Sequence, residues 1–174
     1  SMMMKMLEAG GLHVFIDNLR TPDPDNPEGY YEYERVKKLD KGDTAWVGQA
    51  QGQVVKVISA LLEHLPPEYT YQTLFMQRDI HEVLASQKKM LQRRGEAVDK
   101  VSDEEMAALF AKHVAKTASW LHAQPNFQTL WVDYNQLLAD PQPQIHAVNR
   151  FLGGALDEAK MAEVVNPDLY RNRA

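Results

Sequence analysis

Apolar positions along the chain change period several times, and those changes predict the order of its elements. Met2, Met3, Met6 and Leu7 recur at helical spacing and Gly10-Gly11 supplies a stop, so a short helix opens the chain. His13-Val14-Phe15-Ile16 reads as a short buried strand, and Thr21 to Gly29, dense in Pro, Asp and Asn, as a surface loop. Tyr30 to Leu39 returns to helical character, with a weaker helix over Thr44 to Gln51. The β-branched run Val54-Val55-Lys56-Val57-Ile58, between Gly52 and Pro66-Pro67, predicts a buried strand.

Tyr71 to Gln77 predicts a further strand, and the pattern turns helical directly after it. Asp79 with Glu82 has the spacing of a capping box, and Ile80, Val83, Leu84, Gln87 and Leu91 continue at helical period. Ser102 with Glu105 forms a second such box, opening a long amphipathic helix through Leu121 that Gln124-Pro125-Asn126 ends. Phe127 to Tyr134 is aromatic and β-branched, hence a strand. Pro143 lies near the start of a helix carrying Ile145, Val148 and Phe151 and stopped at Gly153-Gly154, and Asp157 caps a last one carrying Met161. Strands alternating with helices predict a three-layer α/β domain with a mostly parallel sheet.

The length of 174 residues suits a single domain over 1–174, and 44% hydrophobic with 25% charged residues is the balance of a soluble globular chain. A net charge of -5 offers no overall basic field for a nucleic acid, and no apolar run is long enough to span a membrane. The chain has no cysteine, which removes disulfides, zinc-thiolate sites and thiol nucleophiles together; an intracellular, cytoplasmic protein is expected. Six histidines show no i, i+4 pair, so no helical zinc site is expected.

The sharpest candidate chemistry stands where the strand ending at Gln77 meets its helix. Arg78 and Ser86 are eight residues apart, about 12 Å along a helix axis. An Arg side chain directed along the helix shortens that gap enough for one phosphate to touch both. Ser86 also shares a face with Asp79 and Glu82, off the apolar stripe. The competing account pairs Arg78 with Asp79 or Glu82 and leaves Ser86 solvated. Lys56, in a predicted buried strand, needs a partner or a ligand.

Thr73-Leu74-Phe75-Met76-Gln77-Arg78-Asp79 followed by Val83-Leu84-Ala85-Ser86 resembles the 3′-phosphate-binding segment of the sulfotransferase family, in which a strand ends in Arg and Ser follows eight residues later. Trp131-Val132-Asp133-Tyr134, Leu137-Leu138, Asp140-Pro141 and Phe151-Leu152-Gly153 are similar to that family's strand–loop–helix segment. Val55-Lys56-Val57, before a Leu-Pro turn, resembles the strand that carries an acceptor-side lysine, with Ile58 where a histidine often stands. Asn26-Pro27-Glu28-Gly29-Tyr30-Tyr31-Glu32 resembles an acceptor-side stretch ending in Glu.

The resemblance implies a P-loop NTPase-like sheet with helices on both faces. The implied donor is 3′-phosphoadenosine 5′-phosphosulfate (PAPS), or its product 3′-phosphoadenosine 5′-phosphate (PAP), and the implied acceptor a small hydroxyl or amine compound of unknown identity. It implies Arg78 and Ser86 as 3′-phosphate ligands, Arg171 as a further basic contact with Arg173 beside it, and Glu32 and Lys56 on the catalytic, acceptor side; His64 is a weaker candidate for the base. The family's phosphosulfate-binding loop has no counterpart in the sequence, and it and its strand are expected upstream of residue 1. Each missing charge-assisted contact costs about 1.5–3 kcal/mol of donor binding, so little transferase activity is expected. The alternative is a non-catalytic module that keeps the fold to bind a nucleotide or a protein. A sheet edge left open beside the missing strand makes a homodimer a reasonable expectation.

Overall fold

A computed structural model of the chain describes residues 2–19, 29–94 and 102–165, with backbone alone for residue 87 and for 89–94. Helix α1 (Met2–Ala9) leads, and Gly11 at φ 106° ends it, a conformation an L side chain resists. Strand β1 (Tyr71–Gln77) runs into α2 (Ile80–Arg94), α3 (Asp103–Ala123) follows, and strand β2 (Phe127–Asp133) returns beside β1. The last third is helical: α4 (Tyr134–Ala139), α5 (Pro141–Phe151) and α6 (Glu158–Val164).

β1 and β2 pair in parallel from Tyr71 opposite Phe127 to Gln77 opposite Asp133. Parallel neighbours need a crossover, and α2 and α3 supply it. Alternation sends the two sets of side chains to opposite faces. On one face Tyr71 stacks on Phe127 at 4.6 Å and Phe75 lies 4.4 Å from Trp131, and Phe75 joins Leu62 and Leu121 in a buried cluster against α3. On the other, Val132 is fully buried among Met3, Met6, Leu7, Leu137, Ile145, Val148 and Met161, which draw α1, α4, α5 and α6 together. Gly10 allows α1 its close approach to α6: a Cβ there would meet Met161 Cγ at 2.9 Å. The fold is α/β, with a small parallel sheet.

Among the described residues β1 has one ladder partner. The whole of β1 lines a cleft of about 1220 Å³ that Gln128 of β2, α1, the 53–57 segment and α3 also bound.

Several expectations hold. Ser102 and Glu105 form a complete capping box, Asp157 accepts from the Lys160 N–H, and Asp79 Oδ1 accepts from the N–H groups of His81 and Glu82. Others need correction. Residues 13–16 and 54–58 are not ladder strands: they meet at a single parallel bridge, Val14 with Val54, and residues 55–57 line the cleft rather than pairing with a neighbouring strand. The helix placed over 30–39 is a 3-10 helix, Glu34–Lys41. Tyr31 at φ 52° lies outside helical space, and Asp17 Oδ2 takes the Glu34 N–H at 2.6 Å, so the coil begins there. The helix expected over 44–51 shrinks to the 3-10 turn Val47–Ala50. A 3-10 helix at Ser59–His64 was not expected from the pattern. β2 ends one residue early, because the Asp133 carboxylate accepts from the N–H groups of Asn135 and Gln136 and turns Tyr134 into α4.

Met6 is fully buried at the centre of the larger cluster. Met6→Ala is expected to cost about 2–5 kcal/mol, read as a lower urea midpoint with an unchanged slope.

Candidate functional site

Arg78 follows β1 directly, where the strand stops and Asp79 caps α2. Its Nε donates to Glu82 Oε2 at 3.1 Å, one helical turn away, and its guanidinium lies 5.0 Å from the Tyr134 ring centroid. Glu82 is buried, and its other oxygen accepts from Asn135 Nδ2 at 3.0 Å. The Asp79 N–H reaches Asn135 Oδ1 at 3.4 Å. The ends of the two paired strands are thus tied through four polar residues. Burial pushes the Tyr134 phenol up, against the opposing charge of Arg78.

Arg78 therefore has the Glu82 partner that its i, i+4 spacing allows, and its side chain lines the cleft while keeping about a quarter of its surface exposed. Ser86 lies two turns further along α2 and is half-buried. Asn135 is a member of this cluster that the sequence reading missed; its only local signal is its position two residues after the capping Asp133. Lys88 on the same helix pairs with Asp103 of α3 at 2.6 Å.

Elsewhere in the fold Glu32 meets Lys56, a cleft-lining residue 24 positions away in sequence. Lys56 Nζ donates to Glu32 Oε1 at 3.2 Å and to the Tyr30 carbonyl at 3.0 Å. Lys37 holds the second carboxylate oxygen at 3.2 Å, a partner the sequence reading did not name. The left-handed Tyr31 swings Glu32 toward the lysines, while its own hydroxyl donates to Glu8 of α1 at 2.7 Å. Burial works to raise the Glu32 carboxyl, but hydrogen bonds and charge from Lys56, then from Lys37, outweigh it and hold the group below the ordinary carboxylate range.

Lys56 and Arg78 line one cleft, so the fold brings together cations that lie 22 residues apart in the chain. His64 is exposed at the end of its 3-10 helix. Arg171 and Arg173 lie outside the described residues, as do the side chains of Lys89, Arg93 and Arg94. Among the described residues no cluster of His, Asp and Glu is placed to hold a metal ion, and no helix is long and apolar enough to cross a membrane. A half-buried arginine at the carboxyl end of a parallel strand suits an anionic ligand, and the Lys56–Glu32 pair can take part in hydrogen bonding or proton exchange with a second one.

A family model described as a sulfotransferase domain matches residues 64–169, well over half of the chain. That span contains β1, α2, α3 and β2, and with them Arg78 and Ser86, but neither Glu32 nor Lys56. No curated protein and no solved structure gives a match.

The Glu32 geometry sets a pH dependence. A carboxyl whose folded value is depressed adds stability that is fully present above its unfolded value, about 4.3, and is lost as pH falls through the folded value. Glu32→Gln is expected to lower stability at pH 7 by up to about 1 kcal/mol, with the gap to the parent narrowing below about pH 4. Equal gaps in urea midpoint at pH 7 and pH 3 would show that the lysine contacts add nothing.

Proposed function

The chain belongs to the sulfotransferase family, and we propose that it binds the 3′-phosphoadenosine nucleotide of a sulfuryl donor at the β1–α2 junction, with a small hydroxyl or amine acceptor against the Lys56–Glu32 wall of the same cleft. The observation that carries this reading is the position of Arg78, at the carboxyl end of a parallel strand and on the cleft wall, where open α/β sheets bind their ligands. In keeping with it, the apolar clusters on both faces of the β1–β2 pair support a three-layer, P-loop NTPase-like arrangement.

The residues suit the 3′-phosphate of PAPS or PAP in kind. The guanidinium carries five N–H donors in a planar fork that matches phosphate oxygens, and Ser86 offers a hydroxyl two turns on. Glu82 sits beside any phosphate held there, so it orients the guanidinium and also offsets part of its charge. Arg171 is proposed as a further basic contact. The donor supplies the sulfuryl group. On the acceptor side, Lys56 offers a cation to the charge that develops during transfer, and Glu32 accepts a hydrogen bond from the acceptor and draws its proton. The lysines that keep Glu32 ionised make it a weak base, which favours slow turnover.

Titration calorimetry with PAP tests the donor site. Binding is expected, weakened about 10- to 100-fold in Arg78→Ala and less in Ser86→Ala, in line with the loss of a charge-assisted against a neutral hydrogen bond. Absent binding, or binding indifferent to Arg78→Ala, would overturn it.

The edge of β1 toward the cleft favours a second reading, a non-catalytic nucleotide- or protein-binding module that pairs with another copy of itself. Light scattering separates the two: pairing through that edge is expected to give twice the 19.8 kDa of one chain, and a proline at Thr73 to return the mass to one.

A further inference from the structure

We propose that Asn135 is a positioning residue of the phosphate site, a role that rests on the reading of Arg78 as a phosphate ligand. It acts through Glu82: by holding one carboxylate oxygen, it limits how far that charge competes with a phosphate for Arg78. Glu82 is only 4% exposed, although it stands in the first turn of a helix. Its two oxygens reach residues at the ends of different strands. Oε2 accepts from Arg78 Nε at 3.1 Å, just after β1, and Oε1 accepts from Asn135 Nδ2 at 3.0 Å, just after β2. The carboxylate is thus divided between a cation that a phosphate would claim and an amide from the neighbouring strand end.

Asn135 suits that part because its own place is fixed. Its N–H donates to the capping Asp133 Oδ1 at 2.8 Å, which seats it in the first turn of α4, and its Oδ1 faces the Asp79 N–H at 3.4 Å. A main-chain N–H only donates and an ionised carboxylate only accepts, so these two neighbours select one orientation of the amide, with its NH2 on Glu82. The register that sets Gln77 opposite Asp133 brings the strand ends level and makes the contact possible. Electrostatics gives the effect its sign. A phosphate held by Arg78 lies beside the Glu82 carboxylate, and like charges repel strongly where little water screens them. The Asn135 amide dipole offsets part of that charge; without it the carboxylate leans harder on Arg78 and the phosphate is held less well. A residue that need not touch the ligand thereby sets the affinity for one of its groups.

The test is a double-mutant cycle read by calorimetry at about pH 8, where carboxylates are ionised, with PAP and with adenosine 5′-phosphate, its counterpart lacking the 3′-phosphate. Asn135→Leu is expected to weaken PAP binding about five-fold and Glu82→Gln to tighten it about ten-fold, while neither moves the binding of adenosine 5′-phosphate. Beside Glu82→Gln, Asn135→Leu is expected to change PAP affinity by less than about two-fold, because the charge it acts through is gone. Equal losses for both nucleotides, or a loss that persists beside Glu82→Gln, would mark Asn135 as a structural support only and overturn the proposal. Asn135→Ala is read in the same way if the leucine variant does not fold. If Arg78→Ala weakens PAP binding and Asn135→Leu does not, the positioning role fails and the donor site stands. If PAP binds none of these proteins, the nucleotide reading fails and inorganic phosphate, followed by its phosphorus NMR signal, decides the role of Asn135. Affinity falling from Glu82→Gln through the parent to Asn135→Leu supports it, and any other order, or no binding, overturns it.

Discussion

The parallel register of β1 and β2 is the constraint on which the rest of the molecule depends. Stacking of Tyr71 on Phe127 and the contact of Phe75 with Trp131 sit on the paired rungs of that ladder, and a slip by one residue would turn every one of these side chains to the other face. The same register sets Gln77 opposite Asp133, so the two strands stop at one level. Asp133 then caps α4 and Asp79 caps α2 side by side, which places Tyr134 and Asn135 within reach of Arg78 and Glu82. The polar cluster at the strand ends is a consequence of aromatic packing further down the ladder.

Arg78 and Glu82 also show how one contact serves two purposes. A buried carboxylate is costly without partners, and Glu82 has two, the arginine and the Asn135 amide. Those bonds keep the guanidinium from collapsing onto bulk solvent and hold it on the cleft wall. They also put negative charge where a phosphate is proposed to bind, so the carboxylate both positions the cation and tempers it. The second ion pair follows the same logic with the balance reversed: Glu32 has two lysines, and its own basicity is what they reduce.

Legibility in the sequence followed the range of the interactions involved. Three of the helices with side-chain caps were readable, because Ser102–Glu105, Asp79–Glu82 and Asp157 act over three residues and carry their signal locally, whereas α4, capped by Asp133, was hidden in the run read as strand. β1 and β2 were readable from aromatic and β-branched runs. The segment 54–58 has an equally strong run, yet it forms only the Val14–Val54 bridge, because a ladder needs a partner that no local pattern supplies. Residues 30–39 misled for a related reason: Asp17, far back in the chain, and the left-handed Tyr31 decide where the coil starts. Arg78 and Ser86 were legible as a pair by spacing and by family resemblance, whereas Asn135, Lys37 and His113 were not.

The sequence by itself determined the two paired strands with the helices after them, three capped helix starts and the family, since each of these is written in periods and motifs a few residues long. Only the tertiary structure decided that Glu32 meets Lys56, that Arg78 is shared between Glu82 and Tyr134, and that Ser59 lies against His113. These contacts join residues up to 56 positions apart, and their geometry comes from how the apolar clusters pack. That packing depends on the simultaneous fit of distant side chains, which no local window of the chain contains.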